Sequence, residues 1–103
     1  MHIYAKFLEK TVYLQLSGEI DEHSAVVTRR EADRLVDEYA TTCERAVVDL
    51  RNVTFMDSTG IGFLIGRYKK FQRFGVPVYI ANPSPATDKI LSMSGVYTLM
   101  QKI

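Results

Sequence analysis

The chain has 103 residues, of which 47% are hydrophobic and 24% are charged, a composition typical of a single globular domain. Its formal net charge of +1 at pH 7 favours neither nucleic acid nor an anionic membrane as a partner, and no apolar run approaches the length of a membrane span. Cys43 is the only cysteine, which excludes a disulfide framework and a cysteine metal cluster. We therefore expect one domain over residues 1–103, located in the cytoplasm and without a signal peptide.

The first part of the chain is predicted to form a β-hairpin followed by a helix. Apolar and polar residues alternate over residues 3–7 and 12–17, which is the period of a strand with one buried face. From about residue 24 to residue 40, apolar residues recur at helical spacing instead. The apolar stripe of this helix consists of Ala32, Leu35, Val36, Tyr39 and Ala40.

Two further strands and two further helices are predicted in the rest of the chain. Residues 46–50 are nearly all apolar, which suits a central strand covered on both faces. A helix is predicted over residues 59–74, a strand over 76–81, and a last helix that Ser84 caps at its start. Residues 98–103 are ambiguous, with an edge strand as one possibility. The stripe predicted to be buried on the 59–74 helix consists of Ile61, Leu64, Ile65, Tyr68 and Phe71.

The order of these elements predicts an α/β fold. A hairpin followed by alternating helices and strands implies a mostly parallel sheet of four to five strands with three to four helices and right-handed crossovers. The loops at residues 18–21, 57–58 and 82–84 each follow a strand of this sheet. We expect all three loops to lie together at the carboxyl edge of the sheet, where open α/β folds place their sites.

The segment Phe55-Met56-Asp57-Ser58-Thr59-Gly60-Ile61-Gly62 marks the start of the second predicted helix. The first amides of a helix are unpaired and carry partial positive charge, so a phosphorylated hydroxyl is tolerated there. Ser58 is either the N-cap of this helix or an exposed phosphoacceptor. Because Asp57 alone can serve as the cap, we predict Ser58 as a phosphorylation switch, with Thr59 as the rival acceptor.

The glycines of this helix do not match a nucleotide-binding motif. Gly60, Gly62 and Gly66 depart from the dinucleotide fingerprint and from the P-loop, and the G-x-S-x-G elbow of hydrolases is absent. We expect Gly60 to permit a tight turn, and Gly62 and Gly66 to allow close approach of another backbone, inside the domain or on a partner. A small nucleotide-binding or enzymatic domain that uses the carboxyl edge is the alternative function.

Phe63 falls opposite the predicted buried stripe, which leaves two interpretations open. A neighbouring loop covers this ring, or the ring is exposed and forms an apolar docking patch with Gly62 and Ser58. The basic residues of the same helix are expected to form an ordinary solvated face; they are Arg67, Lys69, Lys70 and Arg73.

Four segments of the chain resemble the anti-sigma factor antagonists of the STAS class, and most of all those that act on anti-sigma-F factors in spore-forming bacteria. The segments occur in the family's order over nearly the whole chain, although Thr59 stands where a second serine is common. They are Leu16-Ser17-Gly18-Glu19-Ile20-Asp21, Phe55-Met56-Asp57-Ser58-Thr59-Gly60-Ile61-Gly62, Gly66-Arg67-Tyr68 and Met93-Ser94-Gly95.

The resemblance implies a regulatory protein rather than an enzyme, without a cofactor or metal of its own. It implies that the serine matching Ser58 is phosphorylated by the anti-sigma factor itself, a serine kinase. The unphosphorylated antagonist binds this kinase and releases a sigma factor, and a PP2C-type serine phosphatase restores the hydroxyl. Asp21 matches an acidic residue of the family that contacts the kinase. The expected partner-binding surface consists of Asp21, Asp57, Ser58, Thr59, Gly60, Ile61, Gly62 and Phe63.

Overall fold

The computed structural model describes residues 1–103 and shows the predicted α/β fold, with a four-stranded sheet and three α-helices. The strands lie in the order β1-β2-β3-β4. The elements in chain order are β1 His2–Leu8, β2 Thr11–Ile20, α1 Glu22–Tyr39, β3 Arg45–Met56, α2 Ser58–Gln72, β4 Val78–Ala81, α3 Pro85–Ser94 and a short 3-10 helix Val96–Thr98.

The sheet is mixed, as predicted. β1 and β2 form an antiparallel hairpin, whereas β2 pairs with β3 and β3 with β4 in parallel. The hairpin turn is made by Glu9 and Lys10, with φ of 52° and 64°. Positive φ at both central residues is the turn geometry that matches the twist of two antiparallel strands. The chain therefore closes this hairpin without the asparagine or glycine that usually marks such a turn.

All three helices cover the same face of the sheet. One face of the central strands, including Val12, Leu14 and Val48, forms a single buried cluster with apolar residues of every helix. The opposite face of β3 carries Val47 and Asp49, which lie outside this cluster. Helices therefore cover only one face of β3, although the sequence predicted a strand covered on both faces. Val47 is buried even so, because Tyr13 and Tyr79 flank it on the neighbouring strands.

β3 is much longer than predicted. It pairs with β2 as far as Ile20 opposite Met56, although its second half contains exposed polar residues such as Asn52 and Thr54. β4 stops with Ala81 opposite Asp49, so the last part of β3 extends well beyond it. Backbone hydrogen bonds with β2 stabilise this two-stranded extension, which a search for apolar runs does not detect.

The extension separates the three loops that were predicted to meet. The loop after β4 remains near the middle of β3, where Asn82 Nδ2 donates to Asp49 Oδ1 at 3.2 Å. The loops after β2 and β3 lie together at the far end of the extension. Only two of the three loops therefore meet at the carboxyl edge. The prediction that the loop at residues 82–84 joins them is wrong.

The end of the chain returns to the sheet. Ser84 Oγ accepts a hydrogen bond from the amide of Thr87 at 3.2 Å and caps α3, as predicted. After the 3-10 helix, Ile80 N donates to Gln101 O at 3.0 Å and Ile103 N donates to Ile80 O at 2.9 Å. This contact is a single parallel bridge on the edge of β4 rather than a fifth strand. None of the helices combines the length and apolar character required to cross a membrane.

Candidate functional site

Two helix N-termini lie side by side where β2 and β3 end. The strands finish together at Ile20 and Met56, and the amide of Asp57 donates to Ile20 O at 3.4 Å. Asp21 follows β2 and caps α1, and Asp57 follows β3 and caps α2. The parallel register therefore brings two of the predicted site residues together with the positive ends of two helix dipoles.

Asp21 forms a reciprocal capping box with Ser24. Asp21 Oδ1 accepts from the amide of Ser24 at 2.9 Å, and Ser24 Oγ accepts from the amide of Asp21 at 3.0 Å. The backbone hydrogen bond from Ser24 lowers the pKa of Asp21 below its ordinary value, because the bond favours the charged carboxylate. The carboxylate is thus fixed and ionised at the start of α1, which begins two residues earlier than predicted.

Asp57 is the cap of α2, and Ser58 is not. Asp57 Oδ1 accepts from the amide of Thr59 at 2.9 Å and from the amide of Gly60 at 3.4 Å. Ser58 is the first residue of α2 and is exposed to solvent. Its hydroxyl takes no part in the hydrogen bonds of the cap. The structure thus excludes Ser58 as the N-cap and leaves its hydroxyl free at a helix N-terminus.

An open depression lies beside Ser58; we call it the edge depression. Its volume is about 570 Å³, and three of its residues carry carboxylates, whereas none carries a lysine or arginine side chain. His23 is the only other titratable group among them and is exposed. The surface next to Ser58 is therefore acidic. The edge depression is lined by Asp21, Glu22, His23, Val26 and Asp57.

Gly60 is required for packing rather than for a turn. Its φ is not positive, and a Cβ placed on it would lie 2.4 Å from Met56 Cγ and 3.1 Å from Ile20 Cγ2. Both of these neighbours are fully buried. The prediction that Gly60 permits a tight turn is therefore wrong, because the residue instead lets α2 approach the end of β3.

Phe63 is buried, with only 5% of its surface exposed, so the interpretation in which an exposed ring forms a docking patch with Gly62 and Ser58 is excluded. Helix α1 covers this flank of α2, and the guanidinium of Arg67 lies over the ring at 4.7 Å from its centroid. The buried side of α2 is wider than the predicted stripe because the helix packs against both the sheet and α1. Gly60 and Phe63 were both predicted to contact a partner, but they are buried inside the domain beneath the exposed residues of α2.

Arg67 does not belong to a solvated face, contrary to the prediction. It is 7% exposed, and its Nε lies 3.0 Å from Asp33 Oδ1 on α1. The N–H does not point at the oxygen, so this contact is an ion pair without a hydrogen bond, and Arg67 Nη1 is also buried without an acceptor. Burial lowers the pKa of Arg67, and Asp33 opposes this effect. Lys70 likewise pairs with Asp37 across the two helices at 3.0 Å.

Gly62 and Gly66 lie on an open groove between α1 and α2, which we call the glycine groove. A Cβ placed on either glycine would meet nothing within 4 Å, so these residues do not serve packing inside the domain. The volume of the groove is about 410 Å³. The sequence analysis did not predict that α1 forms one side of this groove. Val26 could have indicated it, because it is an apolar residue outside the predicted buried stripe of α1. The groove is lined by Ala25, Val26, Arg29, Thr59, Gly62, Phe63, Gly66 and Arg67.

The remaining surface does not offer a better site. The largest groove, of about 800 Å³, lies at the amino end of β4 and includes Val76, Pro77 and Tyr97, far along the sheet from Ser58. No group of three or more His, Cys, Asp or Glu side chains is arranged to hold a metal ion. The groups found at the carboxyl edge are a hydroxyl, carboxylates and helix N-termini.

Comparison with known proteins assigns the family. The STAS domain model matches residues 2–103. An anti-sigma F factor antagonist of Paenibacillus polymyxa is 34% identical over 87 residues, which cover 84% of this chain and 73% of that protein. The structure of the anti-sigma factor antagonist SpoIIAA in its unphosphorylated form is similar, with a TM-score of 0.78 and 23% identity over 99% of this chain and 88% of that one.

The phosphorylated form of a Bacillus SpoIIAA has a TM-score of 0.70 and 23% identity over 99% of this chain and 91% of that one. The likenesses to the two forms thus cover the same share of this chain. The match of the family model over nearly the whole chain confirms the resemblance found in the sequence motifs. The chain therefore belongs to the STAS domain family.

Proposed function

We propose that this protein is an anti-sigma factor antagonist controlled by phosphorylation of Ser58. In the unphosphorylated form it binds an anti-sigma factor that is also a serine kinase, and this binding releases a sigma factor. The observation that carries the proposal is the free, exposed hydroxyl of Ser58 at the first position of α2, beside a cap formed by Asp57 alone. Relatives named as anti-sigma F factor antagonists support the assignment of the partner.

Ser58 is a better acceptor than Thr59. Thr59 is half-buried and lies on the wall of the glycine groove, and its amide is already bonded to Asp57. A phosphate on Ser58 would lie at the amino end of α2, where the helix dipole favours negative charge. The existence of a phosphorylated structure of SpoIIAA, similar in fold to this chain, supports a modification that the fold tolerates.

The acidic edge explains how the modification would prevent binding. Phosphorylation adds about −1.5 to −2 charges at pH 7 next to Asp57, and the edge depression contains two more carboxylates. No lysine or arginine of this depression is available to neutralise the phosphate. A partner surface that fits a hydroxyl would have to remove water from an unpaired dianion, which is costly. The interface is therefore lost while the fold remains.

The remaining parts of the cycle follow from the same site. A PP2C-type phosphatase restores the hydroxyl of Ser58, and the ATP for phosphorylation belongs to the partner, so this protein needs no cofactor and is a binding protein rather than an enzyme. We place it in the cytoplasm with its sigma factor. The accessible part of the predicted surface would contact the kinase; it consists of Asp21, Asp57, Ser58, Thr59, Ile61 and Gly62.

The test is incubation with the cognate anti-sigma kinase and ATP, followed by mass spectrometry and a binding measurement with the nucleotide-loaded kinase. We expect one phosphate on Ser58 and none on the Ser58→Ala variant. Ser58→Ala should still bind the kinase, whereas Ser58→Asp should bind it poorly. Ser92→Ala is the matched control, because Ser92 is an exposed helical serine far along the chain.

Three outcomes would overturn the proposal. Modification of Thr59 in the wild-type chain would show that the acceptor is wrong. Loss of kinase binding in Ser58→Ala would show that the hydroxyl serves the interface rather than the switch. Absence of any wild-type binding to the kinase would exclude the antagonist function itself.

A further inference from the structure

We infer that the glycine groove is the docking site for a segment of the anti-sigma factor that carries an aspartate or glutamate side chain. The inference rests on the proposed function and extends it from the carboxyl edge to the surface between α1 and α2. The acidic segment would lay its backbone over Gly62 and Gly66, and its carboxylate would face Arg29 and Arg67.

The two glycines leave room that the domain itself does not use. They lie one turn apart on α2, and neither position would bring a Cβ within 4 Å of another residue. A glycine inside a helix costs about 1 kcal/mol relative to alanine. Neither a tight turn nor internal packing explains this cost at Gly62 or Gly66, because neither residue has positive φ. Close approach of a partner backbone does explain it.

The buried guanidinium of Arg67 also favours an acidic occupant of the groove. Its guanidinium is held in the wall of the groove between the ring of Phe63 and Asp33, and Nη1 is buried without an acceptor. Buried donors without acceptors are rare and costly in folded proteins. The Asp33 carboxylate beside it accepts no hydrogen bond from Nε, and the guanidinium fork matches a carboxylate in shape and charge, so a partner carboxylate can supply the missing acceptor.

The charges of the groove favour an acidic occupant. Arg29 is exposed at the edge of the groove and lies close enough to Arg67 to lower its pKa further. Asp33 pairs with Arg67, whereas Arg29 has no carboxylate within salt-bridge distance. The edge depression has the opposite charge, although both surfaces meet at Val26. A partner that spans both surfaces must therefore present an acidic group to one and a basic group to the other.

The surface is continuous with Ser58. Thr59, the residue after Ser58, forms one wall of the groove, and Val26 is 67% exposed between the groove and the edge depression. An exposed apolar residue at this position gives the partner a contact that excludes water. A kinase that binds at the Ser58 hydroxyl can therefore also contact the adjacent glycine groove.

The test compares the affinity of the nucleotide-loaded kinase for Gly62→Gln, Arg29→Gln and Arg29→Glu. Gly62→Gln fills the groove without a clash inside the domain, and Arg29 is exposed, so all three variants should fold. We expect Gly62→Gln and Arg29→Glu to lower the affinity at least about ten-fold, with a smaller loss for Arg29→Gln. Ser92→Gln and Arg73→Glu, at exposed positions outside the groove, are the controls and should bind within about two-fold of the wild type.

The outcomes separate this inference from the proposed function. Wild-type binding together with unchanged affinity of Gly62→Gln and Arg29→Glu overturns the inference alone. A higher affinity of Arg29→Glu also overturns it, because the occupant would then be basic. Sedimentation that shows self-association of the wild type, abolished by Gly62→Gln, overturns it in favour of a second copy of this chain. Absence of wild-type binding overturns both proposals.

Discussion

Asp57 Oδ1 lies 2.9 Å from the amide nitrogen of Thr59, so the cap of α2 bypasses Ser58. Two adjacent residues of similar capping ability thus have separate tasks. The carboxylate stabilises the first turn of the helix, and the hydroxyl remains exposed to solvent. If Ser58 is phosphorylated as proposed, the modification would therefore leave the hydrogen bonds of the cap unchanged.

The first prediction concerns the stability of single variants at this cap. Asp57→Ala should lower the free energy of unfolding by about 1 kcal/mol, because the amides of Thr59 and Gly60 lose their acceptor. Ser58→Ala should change it by less than about 0.5 kcal/mol. Urea denaturation at pH 7 measures both values. Equal losses in the two variants would mean that Ser58 shares the cap.

The second prediction compares the three glycines of α2. Gly60→Ala should destabilise the protein by about 1–3 kcal/mol, because the new methyl group would overlap buried Met56. Gly62→Ala and Gly66→Ala should stabilise it by up to about 1 kcal/mol each, since both positions are open and alanine favours a helix. Thermal unfolding followed by circular dichroism measures the differences. A destabilised Gly62→Ala would show that the groove is closed in solution.

The third prediction is that phosphorylation of Ser58 leaves the fold intact. The phosphate would lie at the amino end of α2, where the helix dipole favours negative charge, so rearrangement of the sheet is not required. Amide chemical shifts should change in the first turns of α1 and α2 and should be unchanged in α3. Two-dimensional NMR of the modified and unmodified chains measures this, with Ser58→Ala treated identically as the control. Shift changes throughout β2 and β3 would contradict it.

The fourth prediction concerns the pH dependence of the contact between Asp88 and Tyr97. The Tyr97 hydroxyl donates to Asp88 Oδ1, and Lys102 Nζ lies 3.0 Å from the same oxygen. The hydrogen bond from Tyr97, together with Lys102, lowers the pKa of Asp88 below its ordinary value of 3.8. Burial, together with Asp88, raises the pKa of Tyr97 above its ordinary value of 10.0. The contact joins Asp88 on α3 to Lys102, the residue that bridges to β4.

The sign follows from the direction of each shift. A carboxyl group whose pKa is lowered in the folded state stabilises the fold at pH values above its unfolded-state pKa, and this stabilisation is lost as the pH falls. A tyrosine whose pKa is raised in the folded state stabilises the fold at pH values below its unfolded-state pKa, and this stabilisation is lost as the pH rises. The destabilisation by Tyr97→Phe should therefore be largest between about pH 4 and pH 10 and smaller at pH 2.5. Thermal unfolding at pH 2.5 and pH 7 tests this. Tyr4→Phe, at an exposed position, is the control and should show no such dependence.

The sequence predicted the order and type of the elements because each depends on a local periodic pattern. The alternation in β1 and β2, the helical spacing in α1 and the capping residues Ser84 and Asp57 were each read within a few neighbouring residues. The same local signals predicted that Asp57 and Ser58 lie where a helix begins and that Asp57 alone can serve as its cap. The family resemblance of the motifs was confirmed by the match of the STAS model.

Other features depend on residues that are distant in the sequence, and only the tertiary structure decided them. Arg67 looks like a surface arginine until α1 places Asp33 beside it. The polar second half of β3 looks like a loop until β2 supplies its hydrogen-bond partners. A periodic pattern shows which side of an element is apolar, but not which neighbour covers its flank or how far a paired strand extends. Pairing and packing between remote segments therefore fixed the glycine groove and the two-loop edge around Ser58.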